Sequence, residues 1–152
     1  MESELRDLYQ QVILDHHRRP RNHRAVPGAT LSAEGYNPLC GDRVKVEVAV
    51  DADGRYQDVG FTGSGCAICT ASASMMTESV RGKTREEAEA IFRGFQELVK
   101  GEREPEDLEG VLGKLAVFAG VREFPVRVKC AVLPWHTLHA AAAGPGTSVT
   151  TE

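Results

Sequence analysis

The clearest strand of the chain lies between Arg43 and Asp51, where apolar and polar residues alternate. Valines take every second position there and mostly charged residues lie between them, which is typical of a strand with one buried face. The sequence Asp51–Gly54 predicts a tight turn, and residues 55–61 predict the antiparallel partner strand. Tyr56 falls out of phase with the later apolar residues of that strand, so we expect a β-bulge in this hairpin. A shorter strand is predicted over residues 31–36.

Apolar residues recur at helical spacing over most of the remaining chain. Thr84 and Glu87 have the spacing of a capping box, which predicts the start of one helix. Another helix is predicted to begin near Cys66, after a glycine-rich loop. Pro125 suits the first turn of the last helix, which we expect to kink or restart at Pro134. The predicted helices cover residues 3–18, 66–80, 84–99, 108–120 and 125–143.

Three strands followed by helices indicate an α+β fold, with a three-stranded antiparallel sheet and the helices packed on one face. The chain contains no internal repeat and no linker long enough to divide it. We therefore expect one domain over residues 1–143 and a flexible C-terminal tail over residues 144–152.

Composition narrows the class of protein. With 152 residues, of which 41% are hydrophobic, the chain can bury a core without disulfides. A net charge of -4 and only 6% aromatic residues argue against a nucleic-acid partner. Long apolar runs are missing and the first residues are too charged for a signal peptide, so we expect a cytoplasmic protein with no membrane segment.

Cysteines carry the candidate chemistry. Cys40 precedes one strand of the hairpin and Cys66 follows its antiparallel neighbour, so both lie at the same end of the sheet, together with Asp42. Cys130 lies on the last predicted helix. Three thiolates and one carboxylate complete a tetrahedral shell, and thiolates favour zinc or iron–sulfur clusters over hard ions.

A simpler interpretation is that each cysteine is a small buried apolar residue. Glycines next to Cys40 and before Cys66 favour a bound atom, because they let the backbone approach it closely. Cys66 and Cys69 have thioredoxin-like spacing, but no βαβ unit surrounds them. For Cys69 we favour packing behind the helix start, with an auxiliary thiol as the alternative. His136 and His139 are interpreted as structural.

Four segments together resemble the IscU/SufU family of iron–sulfur cluster assembly scaffolds, whose domain also forms the N-terminal part of NifU. The resemblance covers most of the chain. Its segments are residues 8–22, Asn37-Pro38-Leu39-Cys40-Gly41-Asp42, Gly63-Ser64-Gly65-Cys66-Ala67-Ile68 with the following 71–76, and Arg127-Val128-Lys129-Cys130.

The resemblance implies a scaffold, rather than an enzyme, that receives sulfur from a cysteine desulfurase. It would bind iron, a transient iron–sulfur cluster or zinc on Cys40, Asp42, Cys66 and Cys130, and would deliver its cargo to apo iron–sulfur proteins or downstream cluster carriers. The alternative is a zinc-dependent sulfurtransferase, a persulfide carrier that builds no cluster. A structural zinc module is a third interpretation, which Asp42 disfavours because closed structural sites use no exchangeable ligand.

Two departures favour the SufU branch. The segment between Cys66 and Cys130 is longer than in the IscU branch, and Lys129 stands where that branch has histidine. The Leu-Pro-Pro-Val-Lys motif of the IscU branch is also missing, so the resemblance gives no support for a dedicated chaperone partner. The family usually has serine or another small residue at the position of Cys69.

We expect Cys40 to be the sulfur acceptor. It lies in a loop, whereas Cys66 and Cys130 are predicted on helices, so it can swing toward a partner at the lowest conformational cost. Arg127 and Lys129 are expected to help hold the added negative charge of a persulfide.

Overall fold

The computed structural model describes residues 2–143 and 147–150. Five α-helices, one 3₁₀-helix and four strands make up this part of the chain. In chain order they are α1 Glu2–Arg18, β1 Leu31–Asn37, β2 Asp42–Val50, β3 Tyr56–Ser64, α2 Ala67–Val80, α3 Arg85–Val99, α4 Pro105–Leu112, the 3₁₀-helix Gly113–Glu123, α5 Pro125–Ala141 and β4 Thr147–Thr150.

The sheet has the strand order β3-β2-β1-β4, and its first three strands pair antiparallel as predicted. The register of β2 against β3 shifts between Ala49 and Val50, which confirms the expected bulge. Alternate residues of β2 are buried, from Asp42 through Val44 and Val46 to Val48. The sheet therefore has one face turned to the core, and Asp42 points inward with the valines.

The fourth strand corrects the prediction of a three-stranded sheet. Residues Thr147–Thr150 pair parallel with β1, with Gly35 opposite Val149. The segment is only four residues long and has no alternation of apolar and polar residues, so its pairing depends on the exposed edge of β1 rather than on its own pattern. The expected tail begins at residue 144, and its residues 144–146 and 151–152 lie outside the described residues.

Two helices cover the buried face of the sheet, which confirms the α+β architecture. Helix α5 packs on β1 and β2, α2 packs on β3, and the two helices also contact each other. Ser72 on α2 donates a hydrogen bond to the carbonyl oxygen of Ala131 on α5. This contact fixes the two helices side by side, next to the end of the sheet where Asp42 begins β2.

The remaining helices form an outer layer. Helix α1 packs on α2, and α3 contacts the 3₁₀-helix and α5. The ring of Phe95 on α3 lies 5.4 Å from that of Phe118 and 5.0 Å from that of Trp135. The capping box is present, since Thr84 and Glu87 exchange hydrogen bonds at the start of α3. Among the described residues no helix is both long and apolar enough to cross a membrane.

Two helix predictions need correction. The segment 108–120 is not one helix, because α4 ends at Gly113, whose φ of 52° lies in the left-handed region, and a 3₁₀-helix follows. Helix α5 continues through Pro134 without a restart. Its neighbours on the sheet and on α3 hold it in place, so the proline is accommodated by packing.

Candidate metal centre

The turn between β1 and β2 carries the first two candidate ligands. Asn37 and Asp42 are paired across the last rung of the two strands, and the amide of Gly41 donates to the carbonyl oxygen of Asn37 at 2.9 Å. Cys40 is exposed on this turn, whereas Asp42 is completely buried. The Cys40 side chain thus lies at the surface and the Asp42 side chain lies in the interior, although both belong to the same end of the sheet.

Cys66 is the N-cap of α2, as expected for a helix start. Its Sγ accepts a hydrogen bond from the amide of Cys69 at 3.4 Å, and its own amide donates to Asp42 Oδ1 at 2.8 Å. Hydrogen bonding with Cys130, opposed by burial and aided by the Cys69 amide, lowers the pKa of the Cys66 thiol to about 7. This thiol therefore ionises more readily than an ordinary cysteine.

Cys130 approaches the site from α5. It is 1% exposed, and its Sγ lies 3.3 Å from the Sγ of Cys40. Its interaction with Cys66, together with burial, raises the pKa of the Cys130 thiol. Of the two thiols, Cys66 is therefore the one that loses its proton more readily.

The four residues predicted from the sequence come together at one end of the sheet. Donor atoms of Cys40, Asp42 and Cys130 all lie within 4.8 Å of one another. Cys66 joins this group through Asp42, with 4.0 Å between its Sγ and Asp42 Oδ2. The arrangement brings side chains from a turn, a strand, a helix start and a helix into one cluster.

The donor set fits a soft metal ion or an iron–sulfur cluster. A buried carboxylate needs a positive partner, and among the described residues no lysine, arginine or histidine forms an ion pair with Asp42. Its neighbours are instead an amide side chain, a backbone amide and a thiol. A cation bound among the three thiols would supply the missing charge.

Sequence reasoning missed Asn37 as a part of the site. Its side chain is fully buried, and Nδ2 lies 3.5 Å from Asp42 Oδ2 and 3.6 Å from the Sγ of Cys130. Its Oδ1 accepts from the amide of Leu39 at 3.2 Å. The sequence feature that could have revealed Asn37 is its place in β1, where alternate residues face the core: Ala33, Gly35 and Asn37.

Cys69 is buried, at 3% exposure, and burial raises the pKa of its thiol. Its side chain does not point away from the site. A Cβ added at Gly65 would lie 3.1 Å from the Sγ of Cys69 and 3.0 Å from Asp42 Oδ1. The thiol and the carboxylate thus both border the position that a side chain at residue 65 would occupy.

The two basic residues before Cys130 have other surroundings. The guanidinium of Arg127 lies over the ring of Phe124, 5.0 Å from its centre. Lys129 borders a surface cleft together with Val99 and Lys100. Their expected help in holding a persulfide stays a prediction.

Comparison with known families identifies the domain. The model of the NifU-like N-terminal domain matches residues 8–131. The chain belongs to this family. The resemblance noted from the cysteine segments is thereby confirmed, and the matched range includes Cys40, Asp42, Cys66 and Cys130.

Relatives in the NifU-like N-terminal domain family carry two kinds of name. The chain is 42% identical over 139 residues to the iron–sulfur cluster assembly scaffold protein IscU of Streptococcus pyogenes serotype M1, covering 91% of this chain and 85% of that protein. It is 38% identical over 136 residues to the zinc-dependent sulfurtransferase SufU of Bacillus subtilis (strain 168), covering 90% of each.

A solved structure shares the fold. The crystal structure of a putative iron–sulfur cluster assembly scaffold protein for the SUF system from Fervidobacterium islandicum AW-1 superposes with a TM-score of 0.80 at 36% identity. The match covers 86% of this chain and 93% of that one. The NifU-like architecture predicted for the chain is thus found in a relative determined by crystallography.

Proposed function

We propose that this protein is an iron–sulfur cluster assembly scaffold that accepts sulfur from a cysteine desulfurase. Iron or the nascent cluster is its cargo, held by Cys40, Asp42, Cys66 and Cys130. One observation carries this proposal: three thiols meet a buried carboxylate at one end of the sheet, and no basic side chain in the described part of the chain forms an ion pair with that carboxylate. The scaffold relative at 42% identity gives it a precedent in the family.

Cys40 is the proposed sulfur acceptor because it is the exposed cysteine of the cluster. Its thiolate attacks the terminal sulfur of the persulfide on the desulfurase. A new sulfur–sulfur bond forms at Cys40, the old one breaks, and the thiolate of the desulfurase leaves. The acquired sulfur then lies next to the buried thiol of Cys130, whose Sγ is 3.3 Å from that of Cys40.

Asp42 is the proposed exchangeable ligand. A carboxylate binds a soft cluster less tightly than a thiolate does. The Cys66 amide and the Asn37 side chain hold Asp42 in position at 2.8 Å and 3.5 Å. The carboxylate can therefore leave the cargo and return to it without loss of its orientation.

A second candidate function is a zinc-dependent sulfurtransferase that passes persulfide sulfur onward without building a cluster. The relative of that name in Bacillus subtilis favours it, and so does the agreement of three thiols and one carboxylate with four-coordinate zinc. Zinc, when bound, would keep the thiols deprotonated and in place. Sulfur acceptance at Cys40 is common to both candidates, and the departures at Lys129 and in segment length favour the SufU branch.

The proposed recipients are apo iron–sulfur proteins or downstream cluster carriers. We also propose a cytoplasmic location, which the four free thiols support because free thiols persist in a reducing compartment.

Reconstitution distinguishes the two candidates. The protein is incubated anaerobically with a cysteine desulfurase, cysteine and ferrous iron, and visible absorption, bound iron and bound sulfide are measured. A scaffold acquires cluster absorption and activates an added apo iron–sulfur protein. If only a persulfide forms while zinc stays bound, the scaffold function is rejected in favour of the sulfurtransferase.

A further inference from the structure

Cys69 is a thiol that the proposed function leaves without a role. It is 3% exposed, and among the described residues its Sγ has no hydrogen-bond partner. Free cysteine commonly behaves as a small apolar residue, and Cys69 belongs to the hydrophobic core. On the side of Gly65, however, the Cys69 Sγ and the Oδ1 of the buried Asp42 lie 3.1 Å and 3.0 Å from the same point, the position of a Cβ at residue 65.

Gly65 lies beside both the Cys69 thiol and the Asp42 carboxylate. A Cβ at residue 65 would lie 3.1 Å from both the Cβ and the Sγ of Cys69, which is tighter than about nine in ten real Cβ contacts. The same Cβ would lie 3.0 Å from Asp42 Oδ1. A side chain at residue 65 would therefore press against both groups, whereas glycine lets the thiol and the carboxylate pack close together.

The backbone around Cys66 also resembles one half of a metal site. Two residues separate Cys66 from Cys69, and the Cys69 amide donates to the Cys66 Sγ at 3.4 Å. Cysteine pairs with this spacing frequently bind one zinc ion together. Here the pair lies at the start of α2, next to Asp42, and it contributes one thiol more than a four-coordinate site with Asp42 requires.

We propose that Cys69 is a reserve ligand that replaces Asp42 when the carboxylate leaves the bound metal or cluster. This inference rests on the proposed function, because it assigns a successor to the exchangeable ligand. The thiol proton passes to the departing carboxylate, so the exchange leaves the charge of the site unchanged. The site then alternates between two ligand sets: three thiolates with one carboxylate, and four thiolates. The set of four thiolates holds soft cargo more tightly.

Cobalt(II) alone is the probe, since the intensity of thiolate-to-cobalt charge transfer increases with the number of bound thiolates. Four proteins are compared: wild type, Asp42→Asn, Asp42→Asn/Cys69→Ala, and Asp42→Asn/Thr70→Ser as the matched control on α2. Asparagine keeps an oxygen for the Cys66 amide but is a poor ligand for a soft ion. Circular dichroism checks folding, and Asp42→Ser takes the place of Asp42→Asn if the amide variant does not fold.

Intensity per bound cobalt should rise by about a third in Asp42→Asn, as four thiolates replace three. It should return to the wild-type value in Asp42→Asn/Cys69→Ala and stay high in the Thr70→Ser control. Equal spectra for Asp42→Asn and Asp42→Asn/Cys69→Ala would show that Cys69 is not a reserve ligand. The proposed function would stay intact. If wild type shows no thiolate-to-cobalt band, the proposed metal centre itself is rejected, and the reserve ligand with it.

Discussion

Cys40 and Cys130 belong to parts of the protein that differ in how firmly they are packed, although their sulfur atoms lie only 3.3 Å apart. Cys40 belongs to a short turn and is exposed, whereas Cys130 is 1% exposed on a helix packed against the sheet. A turn can move at low cost, but a buried helix residue moves only with its surroundings. The difference supports the proposed roles, in which Cys40 at the exposed edge accepts sulfur and Cys130 at the buried edge holds the cargo.

The largest expected effect is loss of metal from the buried side. Wild-type protein should carry about one zinc or iron per chain. Cys130→Ser and Cys66→Ser should purify with little or no metal, because a hydroxyl is a poor ligand for a soft ion. Metal analysis of the purified proteins measures this, with Cys69→Ser as a control that keeps its metal. Full occupancy in Cys66→Ser would exclude Cys66 as a ligand.

The exposed side should control sulfur uptake. Cys40→Ser should lose the sulfur adduct formed during desulfurase turnover without iron, because its hydroxyl cannot form a persulfide. Intact-protein mass spectrometry detects the added sulfur in wild type and in each of the four single Cys→Ser variants. An adduct that persists in Cys40→Ser and disappears in Cys130→Ser would reverse the roles of the two sulfur atoms.

Removal of the metal should lower the thermal stability, because the site joins the hairpin, the start of α2 and α5. A metal present at about 100 times its Kd stabilises the folded state by about 2.7 kcal/mol. In a chain of this length that corresponds to about 5–10 °C in Tm. Scanning calorimetry with and without a chelator gives the difference, and an unchanged Tm would show that the site does not tie these elements together.

The buried amide of Asn37 should affect metal affinity less than a direct ligand does. It contacts both Asp42 and Cys130, so Asn37→Ala leaves their ligand atoms without a common donor. Residues that orient ligands in this way typically change the metal affinity by about 10–100-fold. Competition with a chromophoric chelator measures the Kd. An unchanged Kd would assign Asn37 to the turn alone, through its bond to the amide of Leu39.

Local patterns in the sequence were sufficient for the hairpin, its bulge, the capping box at Thr84 and the position of Cys66 at a helix start. Each of these depends on neighbours in sequence. The proximity of Cys40, Asp42 and Cys66 was also predictable, because the start of one strand and the end of its antiparallel partner lie at the same end of a hairpin.

Features that depend on distant contacts were not predictable in the same way. Strand β4 exists through pairing with β1, and α5 stays unbroken at Pro134 through its neighbours. The position of Cys69 toward Asp42 depends on a glycine whose importance is visible only in three dimensions. Asn37 could have been found from alternation in β1, had its polar side chain been placed on the inward face.

The smallest expected effect is that of truncating an exposed side chain in the turn, compared with the same change on the buried helix. Leu39 is 60% exposed beside Cys40, whereas Leu133 is fully buried on α5, one helical turn after Cys130. Leu39→Ala should change the free energy of unfolding by at most about 0.5 kcal/mol, because an exposed side chain loses little burial. Leu133→Ala, which makes the same chemical change, should cost about 2–5 kcal/mol by leaving a cavity. Urea unfolding of the metal-free proteins measures both values, and similar losses in the two variants would mean that the turn is as firmly packed as the helix and that Cys40 is not free to swing out.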